Sequence, residues 1–124
     1  MTLREKQAYF WRMVALLITR ATIFGTEIFI LEWMRTRQQQ EINIARGASK
    51  VKKSKHELGL AVDIAFISDV MDDGILNYHP DKYKALGEYW ESLDPNNRWG
   101  GRFGDNPDTS TIEGWDAGHF EYNG

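Results

Sequence analysis

An apolar strand that contains a single carboxylate constrains this chain more than any other feature. The run Leu60–Ile67 has the length of a strand and is rich in β-branched and other apolar residues. Because side chains alternate along a strand, Asp63 shares its face with Ala61 and Ala65. A carboxylate in such a strand is costly to bury unless a cation compensates its charge. The strand therefore predicts a cationic partner for Asp63.

His56 is the first candidate to share that cation with Asp63. It precedes Asp63 by seven residues, an odd separation that would place the two side chains on opposite faces of an uninterrupted strand. Gly59 lies between them and tolerates the turn or bulge that re-aims the preceding segment. With that bend, the imidazole and the carboxylate converge on one ion.

A third metal ligand has to come from elsewhere in the chain. There is no cysteine and there are only three histidines, so a metal must be held by nitrogen and oxygen. We interpret His79 as an exposed loop residue, whereas His119 follows Gly118, which permits a close approach. A site of His56, Asp63 and His119 leaves the fourth position of a tetrahedral zinc ion open to water, as catalytic zinc sites do.

The residues around these candidates resemble a known family. The pattern Ser54-x-His56-x-x-Gly59-x-Ala61-x-Asp63 is similar to the signature of the zinc D-alanyl-D-alanine carboxypeptidase and dipeptidase family, which includes phage L-alanyl-D-glutamate endolysins. Further segments resemble the family in the same order, over about residues 26 to 123: Met34–Gln40, Ala45–Lys50, Trp99–Phe103 and Asp116-x-x-His119. A match in several ordered segments is more specific than any one motif.

The resemblance implies a fold and a metal. We expect a small α+β domain with a central antiparallel sheet packed by helices and a metal site at the sheet, of the zinc D,D-peptidase/hedgehog-like kind. One zinc ion per chain would be held by His56, Asp63 and His119, and its bound water would have a pKa lowered to roughly 7. Asp116 would be the catalytic base, accepting the proton of that water and passing it to the leaving amine.

Other residues are candidates for substrate contacts. The planar guanidinium of Arg35 fits either a scissile carbonyl or a substrate carboxylate, and its alternative is a structural salt bridge. Ser54 is a candidate to hydrogen-bond substrate or a group behind the ligands, with a loop cap as the alternative. Trp115 and Trp99 are candidates to line the cleft, with a core position as the alternative.

The substrate class implied by the resemblance is the mixed L,D stem peptide of bacterial peptidoglycan. The preferred function is a phage or prophage endolysin that cleaves L-alanyl-D-glutamate, made in the host cytoplasm and reaching the wall after another protein opens the membrane. The rival is a D-alanyl-D-alanine carboxypeptidase with the same mechanism. A further alternative is a non-catalytic relative with a structural zinc ion that binds cell wall or a protein.

Length and composition limit the remaining possibilities. With 124 residues we expect one catalytic domain over 1–124, without a separate wall-binding domain, acting as a monomer. The net charge of −3 gives no reason to expect a nucleic-acid partner. We expect no signal peptide and no membrane insertion, because the apolar stretch 13–33 is interrupted by Arg20, Gly25, Glu27 and Glu32.

Local patterns predict the order of secondary structure. Helices are expected over 2–20, 38–45 and 81–93, and strands over 27–34, 60–67 and 119–122. Thr2 and Glu5 form a capping-box pattern for the first helix, and Gly47 is the expected end of the second. The acidic segment 68–74 is interpreted as an exposed turn rather than a calcium loop, and the segment 100–108 as a loop that wraps the site.

Overall fold

The computed structural model describes residues 1–23, 27–46, 55–69, 80–102 and 117–124, with the side chains of 69 and 80–82 excepted. Within these ranges, three helices and four strands follow one another in the order α1 (Leu3–Thr22), β1 (Ile28–Glu32), α2 (Arg37–Ala45), β2 (Ala61–Phe66), α3 (Pro80–Leu93), β3 (Asn97–Trp99) and β4 (His119–Tyr122). Short 3₁₀ turns cover Ile67–Asp69 and Gly100–Arg102.

The four strands form one antiparallel sheet in the order β1-β2-β4-β3. Strand β2 pairs with β1 on one side and with β4 on the other, so it lies inside the sheet. The register places Asp63 opposite His119 on β4, and a register shift between Ile30 and Glu32 lets Glu32 pair with Asp63 from β1. The predicted α+β class with a central antiparallel sheet is therefore confirmed.

Helix α1 begins with the predicted capping box. The Thr2 hydroxyl accepts a hydrogen bond from the Glu5 N–H at 3.1 Å, and the Glu5 carboxylate accepts one from the Thr2 N–H at 3.0 Å. Residues at helical spacing on one face of the helix are buried: Phe10, Met13, Val14, Leu17 and Ala21. Burying each large apolar side chain of this face contributes about 1.5–3 kcal/mol to folding.

Helix α3 packs against α1 and the sheet and completes the hydrophobic core. It starts at Pro80, where a missing N–H costs nothing, and its buried side chains Tyr83, Leu86 and Trp90 join the core of the sheet and α1. Phe10 and Phe120 each meet the Trp90 ring edge-on, at 5.7 and 6.1 Å between ring centroids. The predicted amphipathic helix over 81–93 is confirmed, with its aromatic face in the core.

Some predictions differ from the structure or fall outside its described part. Strand β3 lies in the segment after α3, for which no strand was predicted, and Gly100–Arg102 forms a 3₁₀ turn at the start of the predicted loop. Gly47, His79 and most of the segments 68–74 and 100–108 lie outside the described residues. Among the helices that are described, none has the length and hydropathy needed to cross a bilayer. The single catalytic domain over 1–124 stays a prediction.

Candidate metal centre

Three side chains predicted as metal ligands lie together on the sheet and the turn before it. Asp63 Oδ1 lies 2.8 Å from His119 Nδ1 and 3.2 Å from His56 Nε2, and one ligand atom from each residue lies within 4.8 Å of the others. Tetrahedral ligands bound 2.0–2.1 Å from zinc are roughly 3.3 Å apart. The donor set and its spacing therefore fit a zinc ion, while the role of these residues as ligands stays a prediction.

The turn that carries His56 depends on Gly59, as the sequence predicted. Gly59 has φ +66°, the left-handed region that other residues rarely adopt. Its N–H donates to the His56 carbonyl at 3.1 Å, and the Leu60 N–H donates to the Lys55 carbonyl at 3.0 Å. The chain therefore reverses between His56 and β2, which brings the imidazole onto the Asp63 face.

A close approach between backbones sets the position of His119. The Ile64 N–H donates to the Gly118 carbonyl at 2.9 Å, and a Cβ added at Gly118 would lie 2.5 Å from the Ile64 carbonyl oxygen. Because the obstacle is backbone, a side chain at position 118 would push the start of β4 away from β2. The predicted role of Gly118 in a tight approach agrees with this contact.

The His56 ring is held through the nitrogen that faces away from Asp63. Its Nδ1 lies 2.7 Å from the Trp33 carbonyl oxygen, and the side chain is buried. A carbonyl oxygen only accepts, so Nδ1–H donates to Trp33 and the lone pair of Nε2 faces Asp63. Hydrogen bonding of the outer nitrogen in this way is typical of histidines that bind metals.

The His119 ring lies between two carboxylates. Its Nδ1 faces Asp63, and its Nε2 lies 2.8 Å from Oε1 of Glu121. The sequence placed Glu121 on the same face of the last strand as His119, because alternate residues of a strand share a face, but it assigned Glu121 no role. Glu121 is the residue of this site that the sequence-based interpretation missed.

Both carboxylates of the site stay ionised for the same reason. Burial raises the pKa of Asp63, but the nitrogens of His119 and His56 that face its carboxylate outweigh burial and hold the pKa well below its ordinary value. Burial also opposes the charge on Glu121, and its hydrogen bond with His119 outweighs this, so the Glu121 pKa is lowered too. The site therefore holds two ionised carboxylates, which suit the binding of a cation.

Arg35 lies next to the cluster, held by partners on both sides. Its backbone N–H donates to the His56 carbonyl at 3.0 Å, which ties the segment after β1 to the ligand turn. Its guanidinium contacts the Glu32 carboxylate at 2.5 Å and the Gln40 side-chain oxygen at 2.6 Å, and Gln40 is fully buried. The salt bridge that was the alternative for Arg35 is present; its role toward substrate stays a prediction.

The other predicted site residues divide into two groups. Trp99 is 2% exposed, and its Nε1–H donates to the Ala117 carbonyl at 2.7 Å, so this ring fills the core instead of lining a cleft. Ser54, Trp115 and Asp116 lie outside the described residues, so their predicted roles rest on the sequence.

Comparison with known proteins decides the family. The sequence profile of a family described as D-alanyl-D-alanine carboxypeptidase matches residues 47–122, more than half of the chain. The chain belongs to this family. The resemblance inferred from the motifs is thereby confirmed, and the matched range contains His56, Asp63 and His119.

Among curated relatives of this family member, the L-alanyl-D-glutamate peptidase of Listeria phage A118 is 37% identical over 87 residues. That alignment covers 67% of this chain, and the chain spans only 30% of the length of the phage enzyme.

Solved structures share the fold at low sequence identity. The Serratia marcescens L-Ala D-Glu endopeptidase ChiX superposes with a TM-score of 0.55 at 20% identity, covering 87% of this chain and 77% of its own. The LD-carboxypeptidase LdcB gives 0.55 at 16% identity, covering 90% of this chain and 56% of its own. The D,D-pentapeptidase VanY, as an E175A mutant in complex with Zn(II), gives 0.54 at 22% identity, covering 94% and 71%.

Proposed function

We propose that this chain is a zinc peptidase that hydrolyses peptide bonds in the stem peptides of bacterial peptidoglycan. The observation that carries the proposal is the convergence of His56, Asp63 and His119 in a member of this family. Two imidazole nitrogens and one carboxylate oxygen are a ligand set used by catalytic zinc sites, which keep one position open for water or substrate.

The donor set favours zinc over the other common divalent cations. Calcium and magnesium prefer sites made of oxygen ligands, whereas two imidazoles suit zinc. A zinc ion bound here would act as a Lewis acid and lower the pKa of its water toward neutrality. The VanY structure, which has a similar fold, was solved in complex with Zn(II) and supports this choice of metal.

The proton transfer is assigned to Asp116. It precedes His119 by three residues, a separation short enough to keep its carboxylate near the ligand without requiring it to be one. Asp116 would accept a proton from the attacking water and deliver it to the nitrogen of the leaving amine. A general base of this kind contributes on the order of 10² to 10⁴ in rate.

Substrate binding is assigned to residues beside the ligand turn. The backbone N–H of Arg35 donates a hydrogen bond to the His56 carbonyl, which places Arg35 beside the ligand turn, and its guanidinium is held by Glu32 and Gln40. From this position Arg35 would face the scissile carbonyl or a carboxylate of the peptide. A guanidinium fixed in one orientation loses little entropy on binding a planar oxygen pair. Ser54 and Trp115, which flank the ligands in sequence, would complete the substrate contacts.

The preferred bond is L-alanyl-D-glutamate, cleaved by an endolysin of a phage or prophage. Support comes from the similarity to the Listeria phage A118 peptidase and from the fold shared with the ChiX endopeptidase. In this role the protein would be made in the host cytoplasm and would act on the wall as a monomer once the membrane is open.

A D-alanyl-D-alanine carboxypeptidase is the second candidate. The description of the matched family favours it, and the D,D-pentapeptidase VanY shares the fold. The ligands and the base would be the same, so the two candidates differ only in which bond of the stem peptide is brought to the metal.

Mass spectrometry of digested peptidoglycan distinguishes the two candidates. Purified muropeptides that carry pentapeptide stems are incubated with the zinc-loaded protein, and the Asp63→Asn variant serves as the control for contaminating hydrolases. L-Alanyl-D-glutamate cleavage releases peptides that begin with D-glutamate, as the endolysin assignment predicts. Loss of a single terminal D-alanine would assign the carboxypeptidase instead, and intact stems would contradict both and favour a non-catalytic binding role.

A further inference from the structure

The His119 ring contacts two carboxylates through its two nitrogens, Asp63 through Nδ1 and Glu121 through Nε2, each at 2.8 Å. We propose that Glu121 is a positioning residue that keeps the hydrogen of His119 on Nε2 and so presents Nδ1 to the metal. This inference rests on the proposed function, because it takes His119 as a zinc ligand.

The position of the hydrogen on the His119 imidazole decides which nitrogen can bind a metal. A neutral imidazole has one N–H and one lone pair, and a metal takes the nitrogen with the lone pair. If Nδ1 binds the metal beside Asp63, the hydrogen must be on Nε2. The His119 side chain is 8% exposed, so this N–H needs an acceptor within the protein, and Oε1 of Glu121 is at hydrogen-bonding distance.

The residues around Glu121 hold its carboxylate in place. Its other oxygen, Oε2, accepts a hydrogen bond from the Asn123 side chain at 2.7 Å, so the carboxylate is fixed in one orientation. Arg98 of β3 is its direct partner across the sheet. The carboxylate is thus buried and held in one orientation against the His119 ring.

Geometry separates this role from that of a ligand or a base. Glu121 contacts the nitrogen of His119 on the opposite side of the ring from the Asp63 contact. Within the described part of the chain, the residues close enough to share one ion are His56, Asp63 and His119, without Glu121. Glu121 therefore acts on the metal through His119.

His56 provides an internal comparison. Its Nδ1 is held by the Trp33 carbonyl at 2.7 Å. In both rings, therefore, the nitrogen that faces away from Asp63 has a hydrogen-bond acceptor within the protein. The acceptor for His56 is backbone and the acceptor for His119 is a side chain. Only the second can be removed by substitution, which makes the proposal testable.

The test measures zinc affinity in three variants by competition with a chromophoric chelator. Glu121→Leu removes the acceptor and keeps most of the volume, whereas Glu121→Gln keeps an oxygen that accepts the Nε2–H. Glu88→Leu makes the matched change on the exposed face of α3. We expect zinc to bind about 10- to 100-fold more weakly in Glu121→Leu, and close to the wild-type affinity in Glu121→Gln and Glu88→Leu.

A second measurement detects the hydrogen on His119 Nε2 directly by NMR. In ¹H–¹⁵N spectra at saturating zinc, the His119 Nε2–H resonance of the wild type should be shifted downfield and exchange slowly with water. The signal should survive in Glu121→Gln and disappear by exchange in Glu121→Leu. A loss of stability without a change at His119 would not produce this pattern.

The outcomes separate this inference from the proposed function. Wild-type protein that binds zinc while Glu121→Leu binds it equally well would overturn the role of Glu121 alone. An equal loss of affinity in Glu121→Leu and Glu121→Gln would also overturn it, because the second variant retains the acceptor. Wild-type protein that binds no zinc would overturn both the inference and the proposed function.

Discussion

Asp63 and His119 are direct partners across the β2–β4 ladder, and Asp63 Oδ1 lies 2.8 Å from His119 Nδ1. The backbone register of the sheet alone therefore places two of the three candidate ligands side by side. The third, His56, arrives through a turn whose shape depends on Gly59. The candidate metal centre is thus built from the most regular part of the fold and one specific turn.

Replacing the carboxylate at the centre should abolish tight metal binding. Asp63→Asn keeps the shape of the side chain but removes the negative ligand, so we expect zinc affinity to fall by more than about 100-fold. Chelator competition measures the change, with Glu88→Gln as an exposed control. Wild-type affinity in Asp63→Asn would show that this residue is not a ligand.

Replacing Asp116, the assigned base, should abolish most of the catalysis without affecting zinc binding. Asp116→Asn should leave one zinc ion per chain bound and lower kcat by about 10²- to 10⁴-fold, because an amide cannot accept the proton. Zinc content is measured on the same preparation as the rate. Hydrolysis at the wild-type rate would refute the role of Asp116.

The orientation of Arg35 should matter beyond its charge. Arg35→Lys keeps the charge but loses the fork that contacts Glu32 and Gln40. If Arg35 binds substrate, kcat/KM should fall on the order of 100-fold through misplacement of the peptide, with zinc affinity unchanged. A loss of stability with wild-type kcat/KM would mean that Arg35 serves the salt bridge alone.

Any side chain at position 59 should destabilise the protein. Gly59→Ala forces a residue with a Cβ into φ +66° and places that Cβ 3.0 Å from Gln7 Nε2. We expect the free energy of unfolding to fall by about 1–2 kcal/mol, measured by urea denaturation. Gly59→Asn adopts the left-handed region more easily and should lose less; an equal or greater loss would mean that crowding dominates over backbone strain.

Much of the fold was predictable because local signals agree with the tertiary structure. The capping box of Thr2 and Glu5 marked the start of α1, and alternating residues marked β4. Strand β3 was not predictable, because Asn97–Trp99 is too short for a periodic signal. It pairs with β4 in the structure, and Trp99 packs closely against Gly87 of α3, and both are contacts between separate segments.

In the candidate metal centre, the ligands were predictable and the residues that orient them were not. The three candidate ligands were predictable because His56 and Asp63 are spaced around Gly59, and His119 follows Asp116, in patterns that a known family shares. The partners that orient them were not, since Trp33 contacts His56 through its backbone, which no side-chain pattern reveals. Glu121 was placed on the correct face, but its contact with His119 depends on the orientation of the ring, which spacing does not specify.

Zinc titration of the metal-free protein, followed by the rate of stem-peptide hydrolysis, shows directly whether the chain is a zinc-dependent peptidase. The protein is first stripped with a chelator and then titrated with zinc, while muropeptide cleavage is measured at each step. We expect no cleavage without metal and a rate that rises to a plateau at one zinc ion per chain. Cleavage that persists in the metal-free protein, or zinc-loaded protein that cleaves no stem peptide, would contradict this assignment.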